Sequence, residues 1–388
     1  MAPDLVLRGG DVLDPGSGLS GKLDIAVTAG RISGVGAAIE DVKARRTVDV
    51  TGYLVTPGLV DLHVHVFVGQ DLAVDPDSCG AVSGVTTMVD AGSAGAHLFG
   101  AFRRSTIVRT GQRILAMLNI ATIGTTSIML ARELEDLRYS SVQACAECVL
   151  ANTDILVGVK ARIEAAAVGQ NGIEPLHRAR AAADRAGTRL MVHIGGNPPE
   201  LAAILALLRP GDVVTHCCTG WGNRLTDQAG RVRPEVLAAR DRGVFFDVAH
   251  GLRSFDSGVA ESLLAGGFAP DTISSDLHAY SREMVSDLPT VMARFLALGM
   301  SLPDVVFRTT AAPARVLGRL ELGSLAPGSV ADIAVFARER GRWMFRDFPG
   351  RQYGGDERLI PVLTVLSGNV VHDARGDGIK PSEATDGY

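Results

Sequence analysis

Two hydrophobic patterns alternate through the middle of this chain. Apolar, β-branched runs recur at Leu59–Val66, Thr86–Val89, Ile114–Ile120, Ile155–Ile163, Leu190–Ile194, Val213–Cys217, Val244–Val248 and Thr272–Ser275. They are continuous, the pattern of parallel strands covered on both faces, where one-sided sheets would alternate. Between most of them lie stretches rich in Ala, Leu and Arg, such as Glu174–Ala186 and Pro234–Arg242, with helical spacing. Eight such runs over roughly 220 residues match the count and size of an eightfold βα barrel. The two ends read differently. Short strand patterns begin at Leu5, Asp24 and Arg31, parted by turn sequences, and similar ones return at Gly328–Phe336 and Leu363–Val371. The pattern predicts an α/β protein. A (β/α)8 TIM-like barrel would span 57–321, and a small β-sandwich domain would be built from both termini, 1–56 and 322–388. The polar stretch Pro381–Tyr388 is expected to be mobile.

The first barrel run ends in Gly58-Leu-Val-Asp-Leu-His-Val-His65. Side chains two apart on a strand point to one side, so His63 and His65 can grip one metal ion together. A His-x-His pair alone is weak evidence, but further histidines follow the same placement. Of nine in the chain, six lie at or just past predicted strand ends: His63, His65, His193, His216, His250 and His278. In βα barrels the C-terminal strand ends carry the chemistry, and histidines scattered through core and surface would not show that bias.

Composition adds one clue to the barrel. Only four lysines occur, Lys22, Lys43, Lys160 and Lys380, so 38 − 4 = 34 of the basic residues are arginine. Lys160 nevertheless sits inside the fourth run, at the end that faces the histidines. A buried ammonium beside cations is disfavoured, whereas a neutral amine can take up carbon dioxide as a carbamate, an anion able to bridge two metals. Arginine stays charged and cannot. The other reading is a strand-end lysine that reaches solvent. Asp276, at the end of the eighth run, offers a carboxylate to a metal or to a proton, or else caps the following segment.

The remaining composition narrows the class. The 388 residues carry a net charge of −5 and show no basic run that would suit nucleic acid. There is no signal-peptide pattern and no apolar run near the roughly 20 residues of a membrane span. Five cysteines without a framework spacing suit a reducing compartment, so a cytoplasmic location is expected. Cys145 and Cys148 read as small helix residues, and Cys217 and Cys218 as packed thiols in preference to metal ligands.

In this order, Pro57–His65, Lys160, His193, His216 and Ser275-Asp276 resemble the binuclear amidohydrolase superfamily, and the likeness runs through the closing Leu325–Phe336. Gly84–Gly95, His193–Pro199, His216–Gly220 and Phe246–Gly251 are similar to its deacetylase-like branch, whose members are often mislabelled dihydroorotases or adenine deaminases. Some of that branch cleave acetylated α-hydroxy acids such as acetyl-(R)-mandelate. The resemblance implies two divalent ions, with zinc suited to the nitrogen and oxygen ligands and manganese, cobalt or iron able to substitute in vitro. His63, His65 and Asp276 would hold one and His193 and His216 the other, with carbamylated Lys160 bridging them. A hydroxide shared by the ions would attack the scissile carbonyl, and Asp276 would move its proton to the leaving group.

Around that centre, His250 is a candidate for orienting the substrate or the tetrahedral intermediate, or for supporting Asp276 or backbone. Arg162 is a candidate for the substrate carboxylate, or for a pair with Asp61 or Asp90; His278 and Tyr280 line the mouth or face solvent. The expected reaction is hydrolysis of an acyl ester or amide on a small carboxylate-bearing molecule. Alternatives are an N-acyl-amino-acid deacylase or a cyclic amidase of dihydroorotase or hydantoinase type. Dihydroorotases of the superfamily carry an arginine two residues past the second histidine, where this chain has Phe67. Deamination generally goes with a site lacking the bridging lysine, and a non-catalytic scaffold would have lost ligands that are all present here. Oligomeric state is left open, although barrels of this family are often oligomeric.

Overall fold

The computed structural model describes residues 2–39, 43–128 and 132–376, so the stretch 381–388 lies outside the described residues. The N-terminal part supplies β1 (Leu5–Asp14), β2 (Leu19–Thr28), β3 (Arg31–Gly36), β4 (Arg46–Asp49) and β5 (Leu54–Pro57). The middle supplies β6 (Leu59–Val64), β7 (Val85–Gly95), β8 (Arg113–Asn119), β9 (Leu156–Ile163), β10 (Arg189–Ile194), β11 (Val213–Thr215) and β12 (Phe245–Asp247). The chain then returns as β13 (Ile333–Arg346), β14 (Gln352–Leu366) and β15 (Asn369–Asp373).

Strands β6 to β12 form one parallel sheet in sequential order. Each βα turn brings the next strand alongside the last, as short right-handed crossovers require. The connecting helices face the sheet with apolar stripes: Leu176, Ala179, Ala182 and Ala183 are buried on the helix Glu174–Ala186, which ends at Gly187 in the left-handed region. A large apolar cluster joins these helices to the strands.

The expected eighth strand, Thr272–Ser275, is instead an extended segment that closes the ring through single bridges. Asp247 pairs with Thr272 on one side and Val64 with Leu277 on the other. Backbone bonds run from Val248 N–H to Thr272 O (3.1 Å) and from Gly251 N–H to Ser275 O (2.9 Å) on the β12 side. Asp276 N–H reaches His63 O at 2.8 Å, and His65 N–H reaches Leu277 O at 3.0 Å. Regular pairing stops because Asp276 turns to φ +49°, a left-handed conformation that an aspartate tolerates better than most residues.

The strands of the two termini are hydrogen-bonded into one mixed sheet, ordered β15-β14-β13-β5-β1-β2-β3 with β4 also on β1. It branches at β1, which pairs with β4 through Leu5–Arg8 and with β5 at Asp11 and Val12. The ladder shifts register between Leu7 and Gly10, where Gly9 takes φ +68°. This sheet has its own apolar core, including Leu7, Ile25, Val55, Ile333 and Val335. It is fastened to the barrel sheet by an ion pair. The Arg113 guanidinium on β8 grips Asp332, which is only 2% exposed, and donates to Ser367 Oγ at 2.7 Å. The Asp332 carbonyl accepts from Gly58 N–H at 2.9 Å, where β5 passes into β6.

Removing one partner of a buried pair strands the other charge. Arg113→Met is expected to lose about 3–5 kcal/mol by that argument, read as a lower urea midpoint. Adding Asp332→Leu should restore part of the loss. A single variant as stable as the parent would show that the pair does not fasten the two sheets.

Candidate metal centre

The barrel's C-terminal rim gathers the titratable groups that the sequence singles out. His63 lies on β6 and His65 just beyond it; Lys160 is on β9, His193 on β10, His216 one residue past β11, and Asp276 on the closing segment. A donor atom from each of His63, His216 and Asp276 lies within 4.8 Å of the other two. Asp276 Oδ1 is 3.4 Å from His63 Nε2 and 3.6 Å from His65 Nε2. Lys160 does not reach solvent: it is 3% exposed, and its Nζ is 3.2 Å from His63 Nε2. Its path across β7 needs Gly92, where an added Cβ would lie 2.7 Å from Lys160 Cγ and where φ is +94°. Gly251 is constrained in the same way, because a Cβ there would meet Asp276 Oδ2 at 2.2 Å.

The far side of each ring fixes which nitrogen faces the centre. His216 Nδ1 is 2.9 Å from the Ala249 carbonyl, which can only accept, so Nδ1 carries the hydrogen. His63 Nδ1 is 2.9 Å from Thr215 Oγ1, whose hydroxyl donates to Asp247 Oδ2 at 2.9 Å. His65 Nδ1 is 2.8 Å from Ser93 Oγ, which donates to Asp90 Oδ2 at 2.7 Å. In all three the hydrogen sits on Nδ1 and the Nε2 lone pair points inward, the tautomer that metal ligation needs.

Electrostatics favour uncharged rings. Burial, with the Lys160 charge adding to it, holds His63 and His65 well below the usual imidazole range. Burial also holds His216 well below that range, with His193 next in effect. Lys160 is pushed down to about 8 by burial, against the opposing pull of Asp276, Asp247 and Asp90. Burial drives Asp276 well above the usual carboxylate range, with Lys160 opposing. A buried set of neutral imidazoles, one carboxyl group and one amine whose pKa is lowered is a donor set for borderline divalent cations such as zinc. The residues present therefore fit the divalent ions that the sequence resemblance implies.

His193 stands slightly apart. Its ring centroid is 4.1 Å from that of His216, but Nε2 lies 3.7 Å from Glu164 Oε1. Arg162 pairs with other acids than the Asp61 or Asp90 that the sequence suggests. Its guanidinium donates to both oxygens of Glu133, at 2.8 and 2.5 Å, and to Glu164 at 3.0 Å. Two carboxylates already face this one cation, so an incoming anion would meet net negative charge. Neither Asp61 nor Asp90 pairs with it. Asp61 instead holds the Ser275 N–H and hydroxyl and is pushed by burial up to about 7.

His250 is fully buried, donates from Nδ1 to its neighbour's carbonyl, Gly251 O, at 2.9 Å and stacks on Phe255 at 4.3 Å. Its Nε2 has no partner among the described residues, and burial pushes the ring down to about 3. His278 is 7% exposed and edge-on to His65 at 6.2 Å, whereas Tyr280 is exposed. Cys217 and Cys218 are buried neighbours 3.8 Å apart, and burial raises the Cys217 thiol well above its ordinary range, which keeps it protonated.

Sequence reasoning missed the supporting roles of Thr215, Ser93, Asp90 and Asp247 behind the histidines. Asp247 also accepts from Thr272 Oγ1 at 2.7 Å and Ser274 Oγ at 2.8 Å, so one carboxylate orients His63 and ties down the closing segment. Its adjacency to a strand end was the available signal.

No family model matches the chain. A deacetylase of Enterococcus faecalis is 33% identical over 95% of this chain and 98% of its own length. A deacetylase of Agrobacterium fabrum is 37% identical over 79% of this chain and 76% of its own. Two solved structures superpose closely. One, described as an adenine deaminase, has a TM-score of 0.89 at 31% identity, over 96% of this chain and all of its own. The other, described as a dihydroorotase, has a TM-score of 0.87 at 32% identity, over 98% of this chain and all of its own. Among the described residues no helix is long and apolar enough to cross a membrane. With its ring of buried imidazoles and its match to these proteins, the chain belongs to the amidohydrolase superfamily, among its deacetylase-like, metal-dependent hydrolases.

Proposed function

We propose that this enzyme hydrolyses an acyl ester or amide on a small carboxylate-bearing molecule, with acetylated α-hydroxy acids as its leading substrates. The observation that carries the reading is the inward aim of three Nε2 lone pairs, on His63, His65 and His216, beside Asp276 and Lys160. His63, His65 and Asp276 would hold one divalent ion and His193 and His216 the other, zinc being the best suited. Lys160 would bridge them as a carbamate: its neutral amine adds to the carbon of carbon dioxide and releases one proton. Bound there, the ions would polarise a carbonyl and lower the pKa of water. Asp276 would accept the proton of the attacking water and deliver it to the leaving oxygen or nitrogen. His250, with Nε2 unpartnered, would orient the substrate.

The deacetylase-named relatives extend over most of the chain and favour acyl cleavage. Phe67 argues against a dihydroorotase, because it is buried against Phe102, with ring centroids 4.8 Å apart, and offers no cation. The name of the second solved structure, a dihydroorotase, keeps cyclic amides in the substrate panel.

Lys160→Ala is expected to lose metal stoichiometry and activity together, as read by elemental analysis and turnover; an active variant with two bound metals would refute the bridge. Thr215→Val removes the hydrogen-bond acceptor behind His63 and should weaken zinc binding by about 10- to 100-fold, measured by chelator competition, while Thr215→Ser should bind as the parent does. Finally, kcat/KM should rank acetyl-(R)-mandelate or an N-acetyl-D-amino acid above dihydroorotate in the metal-replete enzyme. A clear preference for dihydroorotate would overturn the acyl-cleavage reading.

A further inference from the structure

Arg162 cannot anchor a substrate carboxylate while two glutamates hold it, so the rim must offer another cation if the proposed substrates are right. The loops after β11 and β12 line an open cavity of about 180 Å³ with the turn between β13 and β14. Trp221, Phe255 and Phe348 give it aromatic walls, and Arg253 stands beside them. Phe348 comes from the terminal sheet's hairpin, which reaches across to the barrel rim.

This wall is held in place. Asp347, 1% exposed, accepts from Ser257 N–H at 3.0 Å, Ser257 Oγ at 2.6 Å and Arg351 N–H at 2.8 Å. Buried Arg294 donates to Arg346 O at 3.0 Å. The rings of Trp221 and Phe348 stack with centroids 6.0 Å apart, and Trp221 Nε1–H donates to Arg253 O at 3.0 Å. The Arg253 guanidinium lies over Phe348, 5.3 Å from the ring centre. Among the described residues that guanidinium has no ion pair or hydrogen bond, and Arg253 is exposed. Asp256, which also lines the cavity, accepts from the Gly258 and Val259 amides through one oxygen, Oδ1, at 2.8 and 3.2 Å.

One lining residue links the cavity to the rim residues: the Phe255 ring stacks on His250, with centroids 4.3 Å apart. Trp221 is five residues past His216. Arg253 is two past Gly251, where an added Cβ would meet Asp276 Oδ2 at 2.2 Å. The geometry points to a substrate subsite in which Arg253 binds the free carboxylate of an acylated acid and Trp221 and Phe348 take its aromatic or apolar side group. This rests on the acyl-hydrolase reading for its substrate class. An unpaired guanidinium supplies two parallel donors to a carboxylate, and an aromatic wall beside it selects for an apolar neighbour.

Calorimetric titration of the purified enzyme with (R)-mandelate and with neutral (R)-mandelamide tests the subsite without turnover. The parent should prefer the anion. Arg253→Met should reduce that preference by about 10- to 100-fold, the range for a hydrogen bond to a charged group, and Arg253→Lys should recover part of it. Phe348→Ala should weaken (R)-mandelate more than (R)-lactate. In turnover, the kcat/KM ratio of acetyl-(R)-mandelate to its methyl ester should fall in Arg253→Met, mainly through KM. An anion preference unchanged within twofold in Arg253→Met would overturn the subsite. Failure of the parent to cleave any acyl ester or amide would instead overturn the reaction class and leave the binding result to stand on its own.

Discussion

One backbone hydrogen bond, from Asp276 N–H to the His63 carbonyl at 2.8 Å, brings the end of the barrel against its beginning. The segment 272–277 is too irregular to be a strand, so its position depends on side chains as well as on a ladder. Asp61 on β6 holds Ser275, and Asp247 at the end of β12 holds Thr272 and Ser274. Two buried carboxylates thus clamp the closing segment from opposite sides. Without that clamp Asp276 would not face His63 and His65, and the ring would remain an open parallel sheet.

The same clamp carries the electrostatic order of the centre. Burial alone would neutralise every group here. Placing Lys160 among Asp276, Asp247 and Asp90 keeps its amine near the boundary between charged and neutral, while the imidazoles stay neutral with their lone pairs inward. Non-glycine residues in the left-handed region gather at this rim: His216 at φ +70°, Ala249 at φ +41° and Asp276 at φ +49°. Such strain persists where surrounding contacts over-determine the backbone, and here the hydroxyl and carboxylate network supplies those contacts.

Much of this was legible in the sequence because strand period and barrel topology act on it directly. Continuous apolar runs placed seven of the strands, and the bias of histidines toward their ends marked the rim where the structure gathers them. The eighth run looked like the others, yet its polar Ser274-Ser275-Asp276 end spends its side chains on carboxylates from neighbouring strands, which no local pattern reveals. The acids that pair with Arg162 were hidden for a related reason. Its partners, Glu133 and Glu164, lie outside the strand runs, and a fork of donors in a barrel takes whichever acids its neighbours bring. The hydroxyls behind the histidines were equally hidden, since Thr215 and Ser93 are ordinary strand residues until the fold sets them beside a ring.

The β13–β14 hairpin belongs by hydrogen bonding to the terminal sheet, yet its tip ends at the barrel rim. The five residues of that turn can change identity without altering a barrel strand, a clamp carboxylate or a histidine. In the proposed subsite a change at Phe348 would therefore recast one wall while Arg253 and Trp221, on the barrel loops, stay as they are, so part of what is accepted is written apart from what is done to it.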